Sequence, residues 1–259
     1  MRRFRSLASP RHIELCRSFV VAELLLMEQG TLTGFLLSFA NNVLMLLVFV
    51  ALFVDRFLLG VPNPWVYLLL GIVQWNLYVN VSMAGFSCMV YRQKIVMGYS
   101  FPRELLVIAR TGAVYVPYLL ELLIILGVAA WFRMPFTSKY FLLPIFLVAQ
   151  FLFCAGLCSL FSIIGVLHKN VIPFWNVMFR LISFATPIFY LPGQLGPWAN
   201  IIFSWNPFTV YMLWARDIVG ANGFPIQFTV WKIFLGSVAI FLMGYAAFRA
   251  AESKIGDSL

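Results

Sequence analysis

Residues 57–91 read FLLGVPNPWVYLLLGIVQWNLYVNVSMAGFSCMVY, with no acidic, basic or histidine side chain among them. A helix needs about 20 mostly apolar residues to cross the hydrocarbon core of a bilayer, and this run exceeds that. Three more charge-free runs, 29–54, 140–167 and 181–215, are equally long or nearly so. A soluble domain could not bury that much apolar sequence, because its surface would be almost as apolar as its core. The chain therefore reads as a polytopic membrane protein. Helices rather than barrel strands are expected, since barrel strands are short alternating segments of about 10 residues.

Composition agrees. The 259 residues are 63% hydrophobic and 10% charged, against roughly 25% charged in soluble domains. The net charge of +9 would suit nucleic acid, but basic residues flanking membrane spans account for it, and no nucleic-acid partner is expected. Four cysteines lie in apolar surroundings; Cys154 and Cys158 share a helix face, yet no His or carboxylate joins them, so no metal site is expected. The basic start, Met1-Arg2-Arg3-Phe4-Arg5, resembles a signal peptide's, but Arg11, Glu14, Arg17 and Glu23 interrupt the next apolar stretch, so a retained N-terminus is expected.

Outward from the opening run, the hydropathy pattern predicts six spans, near 31–54, 64–90, 105–131, 140–167, 172–191 and 227–249. Residues 1–28 form a separate segment before the transmembrane domain of 29–259. Within it, Ile13, Cys16, Val20, Leu24 and Met27 fall on one face of a helix and Arg11, Glu14, Arg17 and Glu28 on the other, the pattern of a helix lying in the membrane interface. Glu23 breaks that pattern, because it sits within the apolar arc. Between spans five and six, Pro192 to Pro225 is apolar but interrupted by Gly193, Gly196, Pro197, Asn206-Pro207, Gly220 and Gly223, which rules out one continuous helix. Two short re-entrant helices suit it, since irregular backbone at membrane depth survives only against protein or water. Most of the 18 Lys and Arg residues fall on the side of the N-terminus, which predicts both termini in the cytoplasm.

No G-x-x-x-x-G-K-[ST] phosphate loop, H-E-x-x-H, Cys-x-x-Cys or Ser/His/Asp grouping occurs, so no catalysis by this chain is expected. Two charges fall within spans, Glu121 and Arg180, and each is expected to face protein or water, with the other as candidate partner. Amides at Asn41, Asn42, Gln74, Asn76 and Asn80 also lie within spans. With the aromatics Trp75, Tyr78, Tyr190, Trp198 and Trp205, they suit a conduit for sugar rings, which offer C–H faces and hydroxyls; Asn41, Asn42, Gln74, Trp75, Tyr78, Tyr190, Trp198 and Trp205 are the expected substrate-facing set. The segment from Arg92 to Glu104, RQKIVMGYSFPRE, puts Ile95, Val96, Met97, Tyr99 and Phe101 in a basic loop, as a docking surface would.

In these features the sequence resembles the ABC-2 type permeases, in particular the transmembrane subunits that export O-antigen, capsule and teichoic-acid polysaccharides. The resemblance runs through Gly30-Thr31-Leu32-Thr33-Gly34, residues 67–75 (YLLLGIVQW), Phe101-Pro102-Arg103-Glu104, residues 185–190 (ATPIFY), and Trp205-Asn206-Pro207 followed by Arg216. It implies an all-α protein with six spans, a homodimer, two copies of a separate ATPase subunit that binds ATP and Mg, and a lipid-linked glycan as substrate. It also implies a cytoplasmic (inner) membrane location. The loop would be a coupling helix between spans two and three, carried by Arg92, Lys94, Ile95, Met97, Tyr99, Phe101, Pro102, Arg103 and Glu104. Spans one, two and five would bound a canal at the dimer interface. Three departures stand out: Met27-Glu28 where relatives carry Arg-Tyr, Leu37 and Asn42 where Trp and Pro are common, and no acidic residue in His168-Lys169-Asn170. A small-drug or lipid exporter of the same architecture is the first alternative, and an integral-membrane glycosyl- or acyltransferase the second.

Overall fold

A computed structural model describes residues 10–26, 32–58, 61, 63–91, 102–168, 171–192, 206–221 and 230–258. Among these, regular structure is entirely helical: α1 (Pro10–Leu26), α2 (Leu32–Phe57), α3 (Pro64–Cys88), α4 (Glu104–Trp131), a 3₁₀ turn (Ser138–Leu142), α5 (Leu143–Leu167), α6 (Val171–Phe184), α7 (Pro207–Val219) and α8 (Val230–Ser258).

Helix α3 is the axis of the bundle. It carries apolar residues on all its faces, as a helix surrounded by others does, with Gln74, Asn76 and Asn80 as polar exceptions, and it packs against α2, α4, α5, α6 and α7. Of its membrane-length window, 72% is buried, against 11% for α2 and 17% for α8. The last two are peripheral, and α8 is held mainly by α5. That contact is backbone on backbone. A Cβ on Gly156 would meet the Ile240 carbonyl at 2.6 Å, and one on Gly244 would collide with the Gly156 carbonyl. Small residues let helices approach this closely where lipid supplies no hydrophobic drive.

Among the described residues, five helices are long and apolar enough to cross a membrane, covering Thr33–Leu52, Pro64–Cys88, Glu104–Trp131, Ser138–Leu167 and Val230–Ala251. The span expected at 172–191 differs. Helix α6 stops at Phe184 after 14 residues, about 21 Å at 1.5 Å per residue, short of the ~30 Å core. The chain then turns through Ala185–Tyr190, where Pro187 cannot donate to a helical ladder.

Helix α1 lies against α4, with Glu14 and Arg17 outward and Phe19 against the core. Val21 and Leu25 are also exposed, so the outward face is less polar than the sequence pattern implied. Glu23, the residue out of place in that pattern, is buried and receives Arg110 Nη1 at 2.5 Å. Met27 and Glu28 lie outside the described residues.

Candidate functional site within the membrane

Three helices bring polar side chains to one depth. Ser38, Asn41 and Asn42 share a face of α2, Asn76 and Asn80 a face of α3, and Pro117, Tyr118 and Glu121 a face of α4, all at the i, i+3, i+4 spacing of neighbours on a helix. With Leu77 and Val114 they line a cleft of about 210 Å³. Asn42 lies about 15 Å along α2 from Leu32, Asn76 about 18 Å from Cys88, and Glu121 about 15 Å from Trp131, at 1.5 Å per residue. The cleft is therefore near the middle of the bilayer core. Pro117 removes the amide that would bond the Ala113 carbonyl and so loosens α4 beside the cleft.

Glu121 is buried, and its Oε1 accepts from Asn42 Nδ2 at 2.9 Å. Asn42 Oδ1 in turn accepts from Asn76 Nδ2 at 2.5 Å. The expected partnership of Glu121 with Arg180 is a correction: Arg180 is exposed on α6 and lines no part of the cleft. A shared membrane depth read from spans says nothing about which faces meet, and Glu121 is met by the Asn42 amide instead. Asn41 and Asn80 are exposed at the mouth.

A second polar chain runs behind the cleft. Tyr118 Oη lies 2.9 Å from Gln74 Oε1 and 3.0 Å from Gln150 Oε1, and Gln74 Nε2 donates to Tyr78 Oη at 2.8 Å. Tyr118 has one proton to give, and Gln150 Nε2 has no partner. An amide rotation at Gln150 resolves both: Gln150 donates to Tyr118, Tyr118 to Gln74, and Gln74 to Tyr78. Gln74 and Tyr78, expected on a substrate-facing wall, are thus inside the bundle, each 1% exposed. Trp75 is half-buried among Phe179 and Phe208, with ring centroids 5.2 and 6.0 Å away. Tyr190 is buried too, its hydroxyl donating to the Phe184 carbonyl at 2.5 Å. Trp198 and Trp205 lie outside the described residues.

Arg216, which entered the sequence reading only as part of a motif, is the most consequential side chain the fold adds. It is fully buried, donating from Nε to Tyr67 O at 3.1 Å, from Nη1 to Pro187 O at 2.6 Å and from Nη2 to Ile188 O at 2.9 Å. Its Cζ sits 3.4 Å from the Tyr67 ring centroid. The turn after α6 leaves carbonyls without helical donors, and the planar fork of a guanidinium matches several at once. Space for it exists because residue 71 is glycine: a Cβ there would collide with Nη2. Tyr67 Oη donates to the Tyr190 carbonyl at 2.8 Å, and Asn206 Nδ2 donates to Thr186 Oγ1 at 2.8 Å while its Oδ1 caps α7 at Phe208 N. Helix α7 closes with Gly220 in the left-handed region (φ 76).

At the other end of the bundle, Glu104 accepts from Arg249 Nε at 2.9 Å. The first turn of α4 is thereby tied to α8, as Arg110 ties its second to α1. Pro102 and Arg103 precede α4 half-buried. Arg92, Lys94, Ile95, Met97, Tyr99 and Phe101 of the expected coupling surface lie outside the described residues.

Five membrane-length helices among the described residues, three of them lining a polar cleft, define a multi-pass helical membrane protein. No family model matches the chain. Curated relatives do: it is 27% identical to the O-antigen export system permease protein RfbA of Myxococcus xanthus over 246 residues, 93% of this chain and 94% of that one. It is 19% identical over 232 residues, 89% of each chain, to a Klebsiella pneumoniae protein of the same name. The resemblance to O-antigen export permeases read from the motifs therefore extends through almost the whole length of both sequences.

Proposed function

We propose that this chain is the permease subunit of an ATP-driven exporter that moves a lipid-linked polysaccharide across the cytoplasmic membrane. The observation that carries it is the cleft: amides and a carboxylate midway along membrane-length helices, with Asn41 and Asn80 exposed. Polar groups at that depth face protein or water, because facing lipid is costly. A second copy of the chain set against α2 would enclose the mouth in a shared canal wet enough for a polymer. The exposed stripe Phe174, Val177, Leu181 and Phe184 of α6 offers apolar surface for that copy or for lipid.

In this reading α6 and the turn after it make the fifth of six spans, α1 lies in the cytoplasmic interface, and the segment around α7 re-enters from the outer face. Both termini are cytoplasmic. Two ATPase subunits bind ATP and Mg and dock on residues 92–103; the ion pairs of Glu104 and Arg110 then pass the motion to α8 and α1. A drug or lipid exporter is less well supported, since its site would be apolar rather than amide-lined.

The test is to express the chain with its genomic neighbours, purify it in mild detergent and weigh the complex. Two permeases with two ATPase subunits are expected. Phe101→Ala or Arg103→Ala should abolish polysaccharide export while leaving the complex and its basal ATP hydrolysis intact. A folded chain that binds no ATPase, or normal export in both variants, refutes the reading.

A further inference from the structure

The cleft is open to a ligand. Glu121 uses one oxygen on Asn42, and among the described residues its other oxygen accepts no hydrogen bond. Asn41 and Asn80 at the mouth likewise make no side-chain hydrogen bond within the described chain. About 210 Å³ is room for about seven waters at ~30 Å³ each, the scale of one sugar ring. Its lining mixes amides and the carboxylate with the apolar Leu77, Val114 and Pro117. A pyranose offers partners to both, with hydroxyls at its rim and C–H groups on its faces.

Charge decides which rings fit. Among the described residues no Lys, Arg or His lines the cleft, and Arg180, the cation expected beside Glu121, is exposed on another helix. Among the described residues the buried Glu121 carboxyl is met by a single amide. When it is ionised, the Coulomb term between charges in such surroundings is several times larger than in water, so a second anion is repelled. Hydroxyls meet a different environment: a carboxylate accepts from two at once, and each amide both donates and accepts. A hard metal cation would ask for six or more oxygens, whereas the amides here present donors as well as acceptors.

We propose that the Glu121 cleft is a sugar-binding subsite that accepts neutral rings and rejects those bearing carboxylate or phosphate. The exporter is then specific for neutral glycans, and Glu121 is its specificity-determining residue, through repulsion rather than attraction. The inference rests on the permease reading for its biological setting, but the subsite lies within one chain and is testable alone.

The full chain is placed in nanodiscs at low ionic strength, and binding of maltotriose and of trigalacturonate, equal in length and opposite in charge character, is followed by saturation-transfer NMR. The wild type is expected to bind maltotriose at least about tenfold more tightly than trigalacturonate. Glu121→Gln keeps the shape and removes the charge; it should hold maltotriose within about threefold and gain about tenfold for trigalacturonate. A gain of binding cannot come from misfolding. Asn42→Leu should weaken both. Equal binding of the two sugars by the wild type, no gain in Glu121→Gln, or no binding of either overturns the proposal. So does a sodium-specific spectral change at the cleft without sugar binding, which would assign the carboxylate to a cation. A chain that recruits its ATPase but treats both sugars alike keeps the permease reading and loses this one. A chain with the neutral preference and no ATPase does the reverse.

Discussion

Replacing Arg216 tests whether the outer end of this bundle is held by one side chain. Arg216→Met keeps the stem and removes the guanidinium, leaving the carbonyls of Pro187 and Ile188 buried without the donors they now have at 2.6 and 2.9 Å. The Tyr67 carbonyl loses a 3.1 Å contact and the Tyr67 ring its cation. Hydrogen bonds to charged groups contribute about 1.5–3 kcal/mol each and a desolvated cation–π pair about 2. These do not add, because burying the guanidinium without a carboxylate has its own desolvation penalty. A net loss of roughly 3–5 kcal/mol is expected, the range for breaking a buried ionic site. At about 2–4 °C per kcal/mol for a chain of this size, the midpoint of thermal unfolding in a fixed detergent should fall by ~6–20 °C. Arg216→Lys preserves charge but offers a point donor where three directions are needed, and should recover less than half of that. Tyr67→Leu removes the ring and the hydroxyl bond to Tyr190, and a double-mutant cycle with Arg216→Met isolates the coupling between the two side chains. A wild-type midpoint in Arg216→Lys together with a drop under about 3 °C in Arg216→Met would show that the carbonyls find other donors, and the pin would be disproved.

Three further outcomes rest on the packing and the ion pairs. Arg110→Gln breaks the contact with buried Glu23, and should loosen α1 by about 1.5–3 kcal/mol, seen as faster hydrogen exchange in residues 10–26 with α5 and α8 unchanged; unaltered exchange in α1 counts against a tether. Gly244→Ala drives a methyl into the Gly156 carbonyl and should destabilise by about 1–3 kcal/mol, whereas Gly236→Ala, with nothing within 4 Å of the new carbon, should gain up to ~1 kcal/mol from helix propensity; equal effects would mean α5 and α8 are not in backbone contact. Lys139→Ala removes a half-exposed ion pair to Asp217 and should change stability by less than about 1 kcal/mol, with any larger shift in the unfolding midpoint pointing to a structural role for the 3₁₀ turn.

Much of this molecule is readable without its fold. Charge-free runs longer than the bilayer core admit few structures, since backbone in lipid must bond to itself; four of the expected spans appear as helices within a few residues of their expected limits, and the last, α8, runs nine residues past its expected end. Amides at Asn41, Asn42, Asn76 and Asn80 were visible as anomalies for the same reason: a polar group in an apolar run needs a partner. Tertiary structure alone decided the partners. The pattern pointed Glu121 to Arg180 because both are charged and intramembrane, whereas helix rotation gave Glu121 to Asn42 and left Arg180 outside. Glu23, anomalous on an isolated α1, is explained by Arg110 more than eighty residues away. Gln74 and Tyr78 carry the same marks as Asn41, yet α3 turns them inward because it is surrounded. Arg216 had no signal beyond its motif, since the carbonyls it binds exist only once the chain turns after α6. Length and polarity are local properties that the solvent reads directly; which faces meet depends on helix rotation and crossing, which no single segment encodes.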